Sequence, residues 1–253
     1  MNNLISIYEE IGEVAKLIHD NGWAEKNAGN FSVRVDSDIE ALSDEEIILP
    51  QCYPELSNRI FVVSGKGKRM RNIAKSPAKN TVVIKINSIG NGYNILSNER
   101  IEPTSELPTH LSIHAMILHR GSSERVVIHS HVTELIAISH IPEFCDQKRL
   151  NNLLWKMHPE TIMFIPKGVG FVPFKLPGSI EIADATVESL KEHQIALWEK
   201  HGVFSIAQSL NDGFDLLDIA AKSVRIYFMC LQSGNKPQGL NDEQLKLLAS
   251  IKF

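Results

Sequence analysis

Cysteine is scarce in this sequence. Cys52, Cys145 and Cys230 stand far apart, and none belongs to a Cys-x-x-Cys pair. A disulfide framework is therefore not expected, and the usage fits a reducing cytoplasm. Long apolar runs are also missing: no stretch reaches the roughly 18 residues that a membrane helix needs. Glu9, Glu10 and Glu13 interrupt the apolar N-terminus, unlike a secretory signal. Positive charge has no excess. A net charge of −4 gives no global attraction to nucleic acid or to an anionic membrane, so neither is expected as a partner. Repeats, low-complexity tracts and a convincing linker are absent, so residues 1–253 read as a single domain. With 43% hydrophobic and 22% charged residues, the composition is that of an ordinary soluble globular protein.

Histidine, in contrast, is concentrated. Six of the ten histidines fall between His110 and His140. The run Arg125-Val126-Val127-Ile128-His129-Ser130-His131 is rich in β-branched residues and reads as a buried strand. Residues two apart on a strand point to one side, so His129 and His131 project together at a spacing suited to one metal ion. Two histidines make only half a zinc centre. His201, in Trp198-Glu199-Lys200-His201-Gly202, is the third candidate, and Glu106 is the nearest carboxylate with unusual surroundings. From spacing alone, ordinary core or hydrogen-bonded histidines remain an equal alternative. Glu106, His110 and His114 lie at i, i+4, i+8 on a helix face and form a competing metal set. A His-x-x-x-His pair on a helix packed against a sheet is more often supporting or core.

Along the chain, residues 3–20 follow the helical period, and Asn21-Gly22 stops them. Asn27-Ala28-Gly29-Asn30 is a tight turn into a strand, able to aim N–H groups at an anion or simply to start the strand. Residues 36–58 are polar and acidic, an expected surface excursion. Ile60-Phe61-Val62-Val63 is a strand followed by Ser64-Gly65-Lys66-Gly67-Lys68, which suits an anion nest or a solvated basic turn; it is no Walker loop. A hairpin turns at Gly90-Asn91-Gly92. Thr104 or Ser105 caps the next helix, whose free N–H groups attract phosphate. Thr161-Ile162-Met163-Phe164-Ile165 is expected to be a strand and 166–173 a loop, with Glu160 in a polar stretch ahead of them. Ser179 caps a helix to about His193. Strands at 195–198 and 203–207 flank the His201-Gly202 turn. Asn211 or Asp212 starts a long helix, and Asn241 caps a short one.

The ordered set Asn27-Ala28-Gly29-Asn30, Val63-Ser64-Gly65-Lys66-Gly67-Lys68, Pro103-Thr104-Ser105-Glu106, His129-Ser130-His131 and His201-Gly202-Val203-Phe204 resembles the zinc-dependent class II sugar-phosphate aldolase and epimerase family. The resemblance runs over nearly the whole length. It implies an α/β fold with a mostly antiparallel central sheet covered by helices. It also implies a homotetramer with active sites at subunit interfaces, one Zn2+ per subunit, and reversible cleavage of a small-molecule sugar phosphate to dihydroxyacetone phosphate and an aldehyde. Carried over by position, His129, His131 and His201 resemble the zinc ligands and Glu106 the catalytic acid/base. Glu160 resembles a second catalytic carboxylate presented to the neighbouring subunit. Asn27, Gly29, Asn30, Ser64, Gly65, Lys66, Gly67, Thr104 and Ser105 resemble the phosphate cradle, with Lys66 departing from a serine in the relatives. Sister enzymes acting on other ketose 1- and 5-phosphates share these motifs; a non-catalytic binding protein like the adducin head shares the fold but lacks the metal histidines.

The residue types suit the chemistry. Retro-aldol cleavage leaves an enediolate, and an aldolase without a Schiff-base lysine needs a Lewis acid to hold that charge. Three neutral histidines leave the ion its full charge and open coordination positions. Near the metal, ionised Glu106 is favoured, while burial opposes it. Phosphate contacts remote from the broken bond position the substrate.

Overall fold

Short apolar, β-branched runs bounded by turn residues, most of them buried on both faces, form nine strands among the described residues, and these join in one sheet. The computed structural model describes residues 2–36, 45–97 and 101–251. The strands are β1 (Asn30–Val35), β2 (Glu46–Ile48), β3 (Ile60–Ser64), β4 (Thr81–Ile86), β5 (Gly92–Ile95), β6 (Val126–Ser130), β7 (Val169–Val172), β8 (Ile195–Trp198) and β9 (Gly202–Ala207). Their order is β2-β5-β4-β3-β1-β6-β9-β8-β7. Every neighbouring pair is antiparallel except β7 and β8. The helices are α1 (Asn2–Asp20), α2 (Met70–Lys75), α3 (Pro77–Asn80), α4 (Leu107–His119), α5 (Thr133–Ile138), α6 (Gln147–Met157), α7 (Pro159–Phe164), α8 (Ile180–Glu192), α9 (Leu210–Gln232) and α10 (Asp242–Ala249). A parallel pair needs a crossover, which α8 supplies between β7 and β8. Among the described residues no helix is long and apolar enough to cross a membrane.

The sheet has a packed core on each face. Val126 and Ile128 of β6 join Ile11, Val14 and Ile18 of α1 and Leu217, Ala220 and Val224 of α9. Val127 points the other way, into a cluster with Ile113 and Ile117 of α4, Ile182 and Leu190 of α8, and Phe204 and Ile206 of β9. The front half of α4 closes a third cluster, where Leu107 and Leu111 meet Phe61, Val63, Val82 and Ile84. By the two-residue period of a strand, His129 lies on the α4 side of β6. The start of α4 and the end of β6 therefore meet on one face.

Several expectations need correction. Residues 161–165 are not a strand: α7 covers most of them, with Pro159 at its first turn. Proline there fixes a helical φ and loses no bond the helix would make, and this outweighs the β-rich look of a five-residue apolar run. Glu160 thus sits in the first turn of a helix. The expected loop over 166–173 contains β7, buried in the core at Val169 and Val172. The excursion over 36–58 carries the exposed strand β2 and a short 3-10 turn at Pro54–Leu56, and its residues 37–44 lie outside the described residues. Glu106, rather than Thr104 or Ser105, occupies the N-cap of α4, without a side-chain cap. Ser209 caps α9 by accepting from the N–H of Asp212.

Candidate active site

Three imidazoles converge at the end of β6. His129 Nδ1 donates to the carbonyl of Val203 at 3.0 Å, so its Nε2 carries the free lone pair. That atom is buried with no hydrogen-bond partner, as is Nδ1 of His201. His131 Nδ1 lies 2.6 Å from Glu25 Oε1, and since a carboxylate only accepts, Nδ1 is the donor and Nε2 is the nitrogen left for a metal. The backbone beneath is pinned: His131 N–H and Ser130 Oγ both donate to the carbonyl of Trp23 at 3.0 Å. His201 arrives from the turn between β8 and β9. Lys200 before it is held in the left-handed region at φ 60°, and its N–H donates to Ser139 Oγ at 2.8 Å. One ligand atom from each histidine lies within 4.8 Å of the others.

Packing and burial keep these rings ready to bind a cation. His129 stacks on Phe204, ring centroids 4.4 Å apart, with Trp198 at 5.3 Å. Burial pushes the pKa of His129 below its usual value. Burial, then the neighbouring His129 and His131, lowers that of His201 to about 4. At neutral pH these rings offer lone pairs. Three converging imidazoles, with the other nitrogen held by a carbonyl in His129 and by a carboxylate in His131, fit a divalent metal of the zinc type.

Glu106 stands beside them, its Oε2 at 3.8 Å from His129 Nε2 and accepting from Asn30 Nδ2 at 3.0 Å. Burial raises its pKa, but His129, the Asn30 donor, His110 and His201 together outweigh that and hold the carboxyl below its ordinary value. The competition between burial and charge is thus resolved toward the anion. The competing set of Glu106, His110 and His114 does not converge on one point. His110 and His114 both reach Ser32 Oγ at 2.8 Å and are fully buried.

The triad, Glu106 and Asn30 line a cavity of about 230 Å³. Asn27, Gly29, Gly65, Gly67, Thr104 and Ser105 line it too. Gly29 and Gly67 have φ of 78° and 69°, a conformation that turns N–H groups into an anion-sized hollow. A bridge between Gly65 and Pro103 holds the two loops side by side. Larger hollows of about 540 and 700 Å³ elsewhere contain no histidine, so size does not mark the chemistry.

Three of the expected residues do not line this cavity. Ser64 is buried with its Oγ accepting from the N–H of Phe31 at 3.0 Å. Lys66 Nζ pairs with Glu102 at 2.6 Å, and both side chains are exposed. Glu160 pairs with His158 at 2.9 Å and is half exposed. Lys68 and Pro177 line the cavity instead. Both lysines of that basic turn were visible in the sequence, with no local signal for which of them faces the cavity. Glu25 had no signal, because its partner His131 is remote in sequence.

The sequence model of the class II aldolase and adducin N-terminal domain matches residues 9–228. A rhamnulose-1-phosphate aldolase from Bacteroides thetaiotaomicron is 39% identical over 250 residues, covering 96% of this chain and 93% of that protein. Another, from Mannheimia succiniciproducens, is 38% identical over 263 residues, covering 98% and 96%. The crystal structure of a sugar-phosphate aldolase from Thermotoga maritima superposes with a TM-score of 0.83 at 30% identity, over 93% of this chain and 99% of that one. With similarity of this extent from end to end, the chain belongs to the class II aldolase and adducin family.

Proposed function

We propose that the protein is a zinc-dependent aldolase that reversibly cleaves L-rhamnulose 1-phosphate to dihydroxyacetone phosphate and L-lactaldehyde. The observation that carries the reading is the ionised Glu106 set between three converging imidazoles and a glycine- and hydroxyl-lined hollow. The names of the full-length relatives support the substrate. His129, His131 and His201 would hold Zn2+, which when bound supplies a Lewis acid for the charge that develops at the substrate carbonyl.

In the condensation direction, Glu106 takes a proton from C3 of dihydroxyacetone phosphate. The electron pair left on C3 forms the new bond to the aldehyde carbon, and the aldehyde oxygen takes a proton from an acid. Glu106 serves the donor carbon, so a second group serves that oxygen. We assign it, on the family resemblance, to Glu160 of the partner subunit; in its own chain Glu160 does not line the cavity. Cleavage reverses each transfer. Asn27, Gly29, the Gly65–Gly67 turn, Thr104 and Ser105 would hold the phosphate, remote from the reacting bond, so that their binding energy positions C3. We further propose a homotetramer with shared sites and, from three cysteines that are all free, residence in the reducing cytoplasm.

The test is a coupled assay of dihydroxyacetone phosphate release across L-rhamnulose 1-phosphate, L-fuculose 1-phosphate and pentulose 5-phosphates, with metal analysis of the same sample. Stoichiometric zinc and a clear preference for L-rhamnulose 1-phosphate are expected. Preference for another ketose phosphate would move the substrate assignment. A metal-free protein that releases no dihydroxyacetone phosphate would overturn the reading.

A further inference from the structure

Behind Glu106 runs a chain of hydrogen bonds that the reaction above does not use. Asn30 Nδ2 donates to Glu106 Oε2 at 3.0 Å. Asn30 Oδ1 lies 2.5 Å from His110 Nε2. His110 Nδ1 lies 2.8 Å from Ser32 Oγ, and Ser32 Oγ lies 2.8 Å from His114 Nε2. His110 and His114 are fully buried, and Ser32 and Asn30 nearly so.

One placement of hydrogens satisfies every link. A carboxylate only accepts, so the amide nitrogen of Asn30 faces Glu106 and its oxygen faces His110. That oxygen also only accepts, so His110 carries its proton on Nε2. His110 Nδ1 is then an acceptor and takes the hydroxyl proton of Ser32. The Ser32 oxygen in turn accepts from His114 Nε2–H. His114 Nδ1 ends the chain as a bare acceptor, and it is buried without a partner. A protonated His110 would present two donors and turn the Ser32 hydroxyl toward His114 Nε2, which would leave an N–H at His114 Nδ1 buried without an acceptor. Burial lowers the pKa of His110 to about 4, in keeping with the neutral ring.

We propose that His110 is a positioning residue for Glu106: acting through Asn30, and held in one tautomer by Ser32 and His114, it fixes the amide orientation that aims the carboxylate at the donor carbon. The proposal rests on the reading that Glu106 moves the C3 proton. Without a donor at Nε2 of His110, the Asn30 amide is free to turn over. Turned over, it sets an oxygen against the carboxylate oxygen, a repulsive contact that moves Glu106 away from its place.

The test compares His110→Gln with His110→Asn in the intact enzyme. Glutamine reaches the position of Nε2 and keeps a donor for Asn30, whereas asparagine reaches only the position of Nδ1, beside Ser32. The readout is exchange of the C3 proton of dihydroxyacetone phosphate with deuterated water, followed by NMR, alongside kcat, KM, bound metal and Tm. In H110N, exchange and kcat should fall on the order of 10–100-fold, with KM and bound metal unchanged. H110Q should recover most of the loss. Ser32→Ala, a smaller change that frees the His110 tautomer, should give an intermediate fall. Equal losses in H110N and H110Q that track a lower Tm would overturn the proposal in favour of packing alone. Wild-type rates in H110N, or in S32A if neither His110 variant folds, would overturn it as well. Absence of exchange in the wild-type enzyme would instead defeat the role given to Glu106.

Discussion

Gly202 has room for a hydrogen and little else. A Cβ there would sit 2.8 Å from the carbonyl oxygen of Ser130, 3.0 Å from Cδ2 of His131 and 3.1 Å from Cε1 of His129. The carbonyl belongs to the β6–β9 pairing and cannot retreat, so the strain falls on the two rings. Gly202→Ala should therefore lose bound metal, at least about tenfold by the sensitivity of a site to its supporting shell, while keeping a wild-type circular dichroism spectrum. His129→Ala should lose metal outright, and unchanged zinc content in that variant would defeat the ligand assignment. Glu106→Gln separates the carboxylate from the metal. It should retain zinc but lose on the order of 10²–10⁴ in kcat, and a variant within about threefold of wild type would be too active for a proton carrier. At this scale the placing of His129 and His131 on one side of a strand was legible, because two-residue spacing is a local property, while that spacing left metal binding and an ordinary core role level. It was silent on Glu25, whose contact with His131 exists only once the chain has folded.

Among the elements, legibility followed the presence of local punctuation. Ser179 and Asn241 were readable as caps, and both accept the expected N–H, from Ile182 and Gln244. The His201-Gly202 turn and its two flanking strands were equally plain. The segment from Glu160 to Val172 was not. Its apolar residues are too few to display a period, and a proline at the first turn of α7 decides between helix and strand. The loop after β3 supplies a test at the level of the element. Lys66 pairs outward with Glu102, whereas Lys68 lines the cavity. Lys68→Ser should raise KM for the phosphorylated substrate and weaken its salt dependence; Lys66→Ser should leave both unchanged. The opposite pattern in steady-state kinetics would return Lys66 to the phosphate cradle.

The molecule as a whole draws its site from β1, the turn after β3, the start of α4, the end of β6 and the turn into β9. The order of these pieces was visible in the sequence, but their adjacency depends on a sheet order that periodicity cannot supply. Burying histidine in this arrangement has a consequence for stability. His110 has a folded-state pKa of about 4 against an ordinary 6.5. The unfolded chain takes up a proton there before the native one does. Its contribution to stability is thus complete above pH 6.5 and is lost as the pH falls through about 4. Thermal melts should show Tm declining over that window, and His110→Gln should flatten the decline.

The distance along the chain between His131 and His201 adds a last consequence. A metal ion held by both spans β6 and the turn into β9, and an unfolded chain cannot offer that set of ligands. Each tenfold rise in free metal above its dissociation constant then adds about 1.4 kcal/mol to stability. Chelation should lower Tm, and titrating zinc back should raise it logarithmically. In a cell short of zinc, such a protein would be cleared by proteolysis sooner as well as working more slowly, so its abundance would follow the metal supply.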